Sequence, residues 1–162
     1  MTLEQLSFVF DMVGVVVVVG TLILIWRQVR QGTDVLRSQS RQAQLAYDQD
    51  GVYKFVEHPV LAQTFSQEET PDVEEKTRLM FWIIGQMRAR EYEYLQHKSG
   101  ALSEEAWMTY RGVIYFLLGT ERSRAFWALT SAYFNPEFVG MVEDMMEGVP
   151  VTDYWARLDA IP

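Results

Sequence analysis

The segment from Leu6 to Trp26, LSFVFDMVGVVVVVGTLILIW, contains a single charged side chain, Asp11. At about 1.5 Å per residue, a helix from Phe8 to Trp26 reaches about 28 Å, close to the ~30 Å of hydrocarbon that a membrane span must cross. Val15 to Val19 are all β-branched and favour strands in water. The run is too long for one strand, and in lipid an isolated segment satisfies its backbone hydrogen bonds only as a helix. The opening MTLEQ lacks positive charge, and the segment ends at Ile25-Trp26-Arg27 without a small-residue cleavage site. The pattern therefore predicts a transmembrane helix and not a cleaved signal.

The flanks predict its orientation. Residues 1–26 carry only Glu4 and Asp11 as charged side chains, whereas residues 27–41 carry Arg27, Arg30, Arg37 and Arg41 against Asp34 alone. Positive flanks stay on the cytoplasmic side. In a bacterium this puts a short N-terminus outside and the C-terminal bulk in the cytoplasm, with the inner membrane as the expected location. Asp11, Trp26, Arg27 and Arg30 form the membrane-flanking set. Asp11 lies three residues past Phe8, near the outer edge, where a carboxylate costs much less than at the bilayer centre. It reads as an interfacial anchor, or as an intramembrane contact to a partner.

The formal charge is −8; residues 1–26 contribute −2 and residues 27–41 contribute +3, which leaves −9 on the remainder. An acidic body behind a basic collar argues against a nucleic-acid surface, which needs a basic stripe. The arginines suit anionic headgroups instead. Cysteine is absent, which excludes disulfides, thiolate metal sites and a cysteine nucleophile. From Gln42 onward the chain is long enough for one domain with its own core and short for two.

The rest of the chain reads as consecutive helices, without sustained period-two alternation. The expected division is a short N-terminus and transmembrane helix (1–26), a juxtamembrane helix (27–58) and a helical domain (59–162). The first helix continues to about Val56 and breaks before Pro59, with a short helix from Val60 to Phe65. Thr70, with Pro71 in first position, is the expected N-cap of a long helix that stops at Ser99-Gly100. Ser103 caps the next helix, which carries an apolar stripe of Trp107, Tyr110, Ile114, Leu117 and Leu118. A helix from about Arg122 to Phe134 and another capped by Asn135-Pro136 follow. The tail places Tyr154, Trp155, Leu158 and Ile161 on one face, which either folds back on the domain or docks to another protein.

Catalytic signatures are missing. The two histidines, His58 and His97, each fall beside a helix end, where a cation suits the dipole. Glu-x-x-His pairs, phosphate-binding glycine loops, His-Glu-x-x-His and Gly-x-Ser-x-Gly do not occur. No metal or cofactor is expected. One charged residue stands out: Glu91 falls in the stripe Met80, Ile83, Ile84, Met87, Tyr94 and Leu95. A carboxylate facing a core must be paired or protonated. Arg88 one turn earlier, or Arg111, Arg122 and Arg124 on later helices, are the candidate partners in a buried ion pair that fixes helix register; a ligand-binding or acid/base carboxylate is the alternative. Trp82, Trp107, Tyr110, Tyr115, Phe116, Phe126, Trp127, Tyr133 and Phe134 read as core, and Met141, Met145 and Met146 as core filler.

The segment ILIWRQVRQGTDVLRSQSRQAQ resembles the membrane-exit segment of a widespread group of uncharacterised bacterial single-span membrane proteins with a helical cytoplasmic domain. In that group a hydrophobic helix runs into an I-R-Q-N-T-like stretch; here Arg30-Gln31-Gly32-Thr33 has Gly in place of Asn. Leu102 to Trp107 (LSEEAW), Arg124 to Trp127 (RAFW) and Phe134 to Val139 (FNPEFV) are similar to later segments of the group. The resemblance implies architecture and carries no activity.

The expectation is an all-α protein in which one N-terminal transmembrane helix continues into a cytoplasmic helical bundle. It would act as a membrane-anchored interaction or accessory subunit without catalytic machinery, its partners being the lipid bilayer and a protein partner or second copy. A small-molecule sensor or enzyme that uses a buried carboxylate in a helical pocket is the alternative.

Overall fold

The computed structural model describes residues 3–66, 70–152, 157, 160 and 161, with backbone alone for residues 3–11, 34 and 37. The protein is all-helical, with no strand among the described residues, and a long apolar N-terminal helix precedes the others. The chain divides into two compact units, residues 1–43 and 44–162.

The first unit is the bulk of α1, which spans Leu3–Glu57 as one 55-residue helix. It is long and apolar enough to cross a membrane. From Met12 to Trp26 every described side chain is exposed, and Val16, at 67 %, is the most exposed of the large hydrophobics there. Among the described residues none covers this apolar stretch. The Thr21 hydroxyl donates to the Val17 carbonyl at 2.8 Å, so the hydroxyl in this stretch is satisfied by its own helix. At the basic end the Arg30 guanidinium carbon lies 5.5 Å from the Trp26 ring centroid, within cation–π range. The side chain of Asp11 lies outside the described residues.

The second unit begins with the last turns of α1 and adds α2 (Pro59–Ser66), α3 (Val73–Lys98), α4 (Glu104–Leu117), α5 (Glu121–Thr130), a 3₁₀ turn (Ser131–Tyr133) and α6 (Pro136–Met146). The boundaries follow local chemistry. Pro59 cannot continue α1 but suits the first position of α2. The cap of α3 is Asp72 and not Thr70: its carboxylate accepts the Glu75 N–H at 2.8 Å, while the Glu75 carboxylate accepts the Asp72 N–H at 2.9 Å. This reciprocal box satisfies two orphan donors, one more than a lone cap satisfies. Gly100 takes φ +75° beyond the end of α3, a left-handed conformation that disfavours a Cβ. Thr120 caps α5 through a similar box with Ser123, one residue earlier than expected, and the helix tightens into the 3₁₀ turn after Thr130. Ser103 and Asn135 cap α4 and α6 where the sequence places them.

Helix α3 runs through the middle of this unit and packs against α2, α4 and α5. Leu79, Ile83 and Met87 of α3, Ile114 and Leu117 of α4, and Phe138 and Val142 of α6 are at most 1 % exposed. Each such side chain contributes about 1.5–3 kcal/mol of burial. Trp127, Phe134 and Phe138 form an aromatic cluster under α6, and Phe55, Phe65 and Trp82 form a second between α1, α2 and α3. Three aromatics expected in the core are exposed instead. Tyr115 and Phe116 are 41 % and 45 % accessible, because the stripe that α4 buries is centred on Trp107, Ile114 and Leu117, and Tyr133, at the end of the 3₁₀ turn, is 74 % accessible. Of the methionines, Met145 is buried, and Met141 and Met146 pack partly against the core.

Candidate functional site

Glu91 is 8 % exposed, and both of its oxygens are engaged. Arg88 Nη1 donates to Oε2 at 2.7 Å, and the Asn135 backbone N–H donates to Oε1 at 2.5 Å. Arg88 also donates through Nη2 to the Tyr133 carbonyl at 2.7 Å and sets its guanidinium 4.3 Å from the Phe134 ring centroid. The pair therefore pins α3 to the turn that opens α6. The other proposed partners lie elsewhere. Arg111 rests on Met108 Sδ at 3.9 Å, Arg122 donates to the Thr64 carbonyl, and Arg124 donates to the Leu118 and Pro150 carbonyls at 2.9 and 3.1 Å. Arg122 and Arg124 join separate elements through backbone oxygens.

A second charged cluster lies one residue away on α3. Arg90 is 1 % exposed and pairs with Asp48 of α1, and its Nε lies 3.1 Å from Glu93 Oε2 without hydrogen-bond alignment. The guanidinium carbon stands 5.4 Å from the Tyr110 ring centroid on α4. Glu93 is 3 % exposed, and neither of its carboxylate oxygens accepts a hydrogen bond. Burial pushes its carboxyl up to about 8, with Arg90 opposing and Asp48 adding to the rise. Burial also raises the Tyr47 phenol on α1, with Arg90 opposing.

The cluster sits on a seam between antiparallel helices. As the position on α1 rises from Asp48 through Gly51 to Phe55, its partner on α3 falls from Arg90 through Gln86 to Trp82. Close approach is made possible by two glycines. A Cβ on Gly51 would lie 2.4 Å from Gln86 Nε2, and one on Gly85 would lie 2.9 Å from the Tyr47 hydroxyl. Trp82 Nε1 reaches the Gly51 carbonyl at 3.4 Å. One turn further back on α1, Gln44 has a buried Nε2 that makes no hydrogen bond.

His97, one turn beyond Glu93, stacks on Trp107 with ring centroids 6.0 Å apart and places Nε2 3.2 Å from Glu104 Oε2. His58 lies exposed at the α1–α2 junction. Among the described residues no group of three or more His, Asp or Glu is placed to hold a metal ion. A cleft of about 240 Å³ is lined by Lys54, His58, Leu61, Glu75, Arg78 and Trp82, and shallower ones lie beside α6. Glu91 lines none of these. Of the C-terminal face, Ile161 is exposed, and Tyr154, Trp155 and Leu158 lie outside the described residues. The chain entering that tail is tied to the α4–α5 turn by the Thr152 N–H, which donates to the Gly119 carbonyl at 2.7 Å.

Arg90 and Glu93 look in the sequence like the wetted face of an amphipathic helix. Their signal is the alternative stripe Leu79, Ile83, Gln86, Arg90, Tyr94, which has helical spacing but passes through polar residues. Comparison with known protein families, with curated proteins and with solved structures gives no match.

Proposed function

We propose that the protein is a membrane-anchored helical interaction subunit of the bacterial inner membrane, with its N-terminus outside and residues 27–162 in the cytoplasm. The observation that carries this reading is the uncovered apolar length of α1, beside a second unit that builds its own core from Gln44 onward. The arginine collar supplies the orientation. The second unit also exposes large apolar side chains, Phe81 at 63 %, Leu129 at 69 % and Tyr133 at 74 %, which favour a protein contact over catalysis. The alternative of a reactive Glu91 loses support from its geometry, because both carboxylate oxygens are already taken.

Two measurements test it. A cytoplasm-only reporter fused at the C-terminus should be active; activity from an exported reporter instead would reverse the orientation. A photocrosslinking residue at Phe81, Leu129 or Tyr133 should give one discrete adduct in native membranes, and the same residue at exposed Glu121 should give none. Absence of adducts from all three positions would remove the interaction reading.

A further inference from the structure

Asp48, Arg90 and Glu93 amount to one cation and two carboxylates. The charged groups set against Glu93 are Arg90 of α3 and Asp48 of α1, with Tyr110 of α4 behind the Arg90 guanidinium; helical spacing puts His97 one turn further along α3, and the seam register puts Gln44 and Tyr47 on the nearest turn of α1. Of these only Arg90 carries a fixed positive charge, and Asp48 already neutralises it. With Glu93 protonated the cluster is neutral. With Glu93 ionised it holds one uncompensated negative charge, and low dielectric makes that costly.

We propose that Asp48, Arg90 and Glu93 form a proton-controlled latch that holds the last turns of α1 on α3, closed while Glu93 keeps its proton and released when it gives that proton to solvent. Ionised Glu93, whose Oε2 already lies 3.1 Å from Arg90 Nε, competes with Asp48 for the guanidinium. The Asp48 side chain is 28 % exposed and reaches water easily, whereas that of Glu93 is 4 % exposed. The route to relief is therefore separation of α1 from α3, which hydrates both carboxylates. The chain breaks its helix at His58 immediately after this segment, so the last turns of α1 can move without unwinding α2. The latch stands whether or not the protein has a protein partner.

The chain has no cysteine, so two introduced ones are unique labelling sites. In Val52→Cys/Tyr92→Cys, both positions exposed and on α1 and α3, spin labels on the full chain in phospholipid nanodiscs report the separation by pulsed electron resonance. At pH 6 the distances should form one narrow population. At pH 9.5 a second, longer population should dominate, with a midpoint near pH 8. Glu93→Gln, which mimics the protonated form, should keep the short distance at both pH values, and His97→Gln should leave the transition in place. Asp48→Asn removes a charge that opposes ionisation and should move the midpoint lower. A distance unchanged between pH 6 and 9.5, a transition that survives Glu93→Gln, or one that vanishes with His97→Gln would overturn the latch.

Discussion

Glu91 and Glu93 stand two residues apart on α3, and their surroundings give them opposite chemistry. Glu91 has a hydrogen-bond donor on each oxygen, one of them a guanidinium, so its charge is welcome. Glu91→Ala should cost about 2 kcal/mol in urea unfolding followed by fluorescence, through the orphaned Asn135 amide and lost pairing. The figure falls below the ~3 kcal/mol and more of a fully enclosed pair, because Arg88 is half in water and keeps its solvation. Glu93 lacks such donors and titrates near pH 8, far above its usual 4.5. The folded state then binds more protons than the unfolded state between those values, so stability falls as pH rises from about 4.5 to about 8 and levels off above. Glu93→Gln should flatten this slope and exceed the parent in stability at pH 9. A variant with an undiminished slope would place the titrating group elsewhere. Sequence alone singles out Glu91 because it interrupts an apolar stripe; Glu93 escapes notice because Arg90 and Glu93 together mimic an ordinary surface ion pair.

Helix existence is legible from caps and breakers, since Pro59, Gly100, Ser103, Asn135 and Gly148 each act within a turn of where they stand. Which of two adjacent candidates wins is harder to read. Thr70-Pro71 and Asp72 both resemble helix starts, and the return bond from Glu75 decides for Asp72. Asp72→Ala should therefore lower stability by about 1 kcal/mol. The glycines divide in the same way. Gly112 and Gly140 sit inside helices with open space where a Cβ would go, so alanine at either should stabilise by about 0.5–1 kcal/mol. Gly100 and Gly148 hold positive φ, and alanine there should destabilise by about 1 kcal/mol. Equal effects at Gly140 and Gly100, measured by thermal unfolding, would contradict the assignment.

At the scale of the whole molecule, the apolar length, the basic collar and the all-helical body are visible in the sequence because they depend on local composition. The reach of α1 into the second unit depends on pairing across more than thirty positions, and periodicity in one helix cannot report it. This has a practical consequence for truncation. A chain beginning at residue 42 keeps Asp48, Gly51 and Phe55 and should fold cooperatively without detergent. One beginning at residue 59 loses the α1 side of the seam, which hydrates Arg90 and uncovers Phe65 and Trp82, and should lose about 1.5–3 kcal/mol in urea unfolding for each large side chain laid bare. Equal midpoints for the two would mean that the seam contributes nothing. The reciprocal sockets of that seam, Gly51 under Gln86 and Gly85 under Tyr47, also bear on how such a sequence can drift. Alanine at 51 meets the Gln86 amide, and alanine at 85 meets the Tyr47 hydroxyl. Both contacts are to side-chain tips, so an alanine at 51 or 85 obliges Gln86 or Tyr47 to swing aside, and the pairs 51/86 and 85/47 should be coupled in a double-mutant cycle, while Gly112 and Gly140 should show no such coupling.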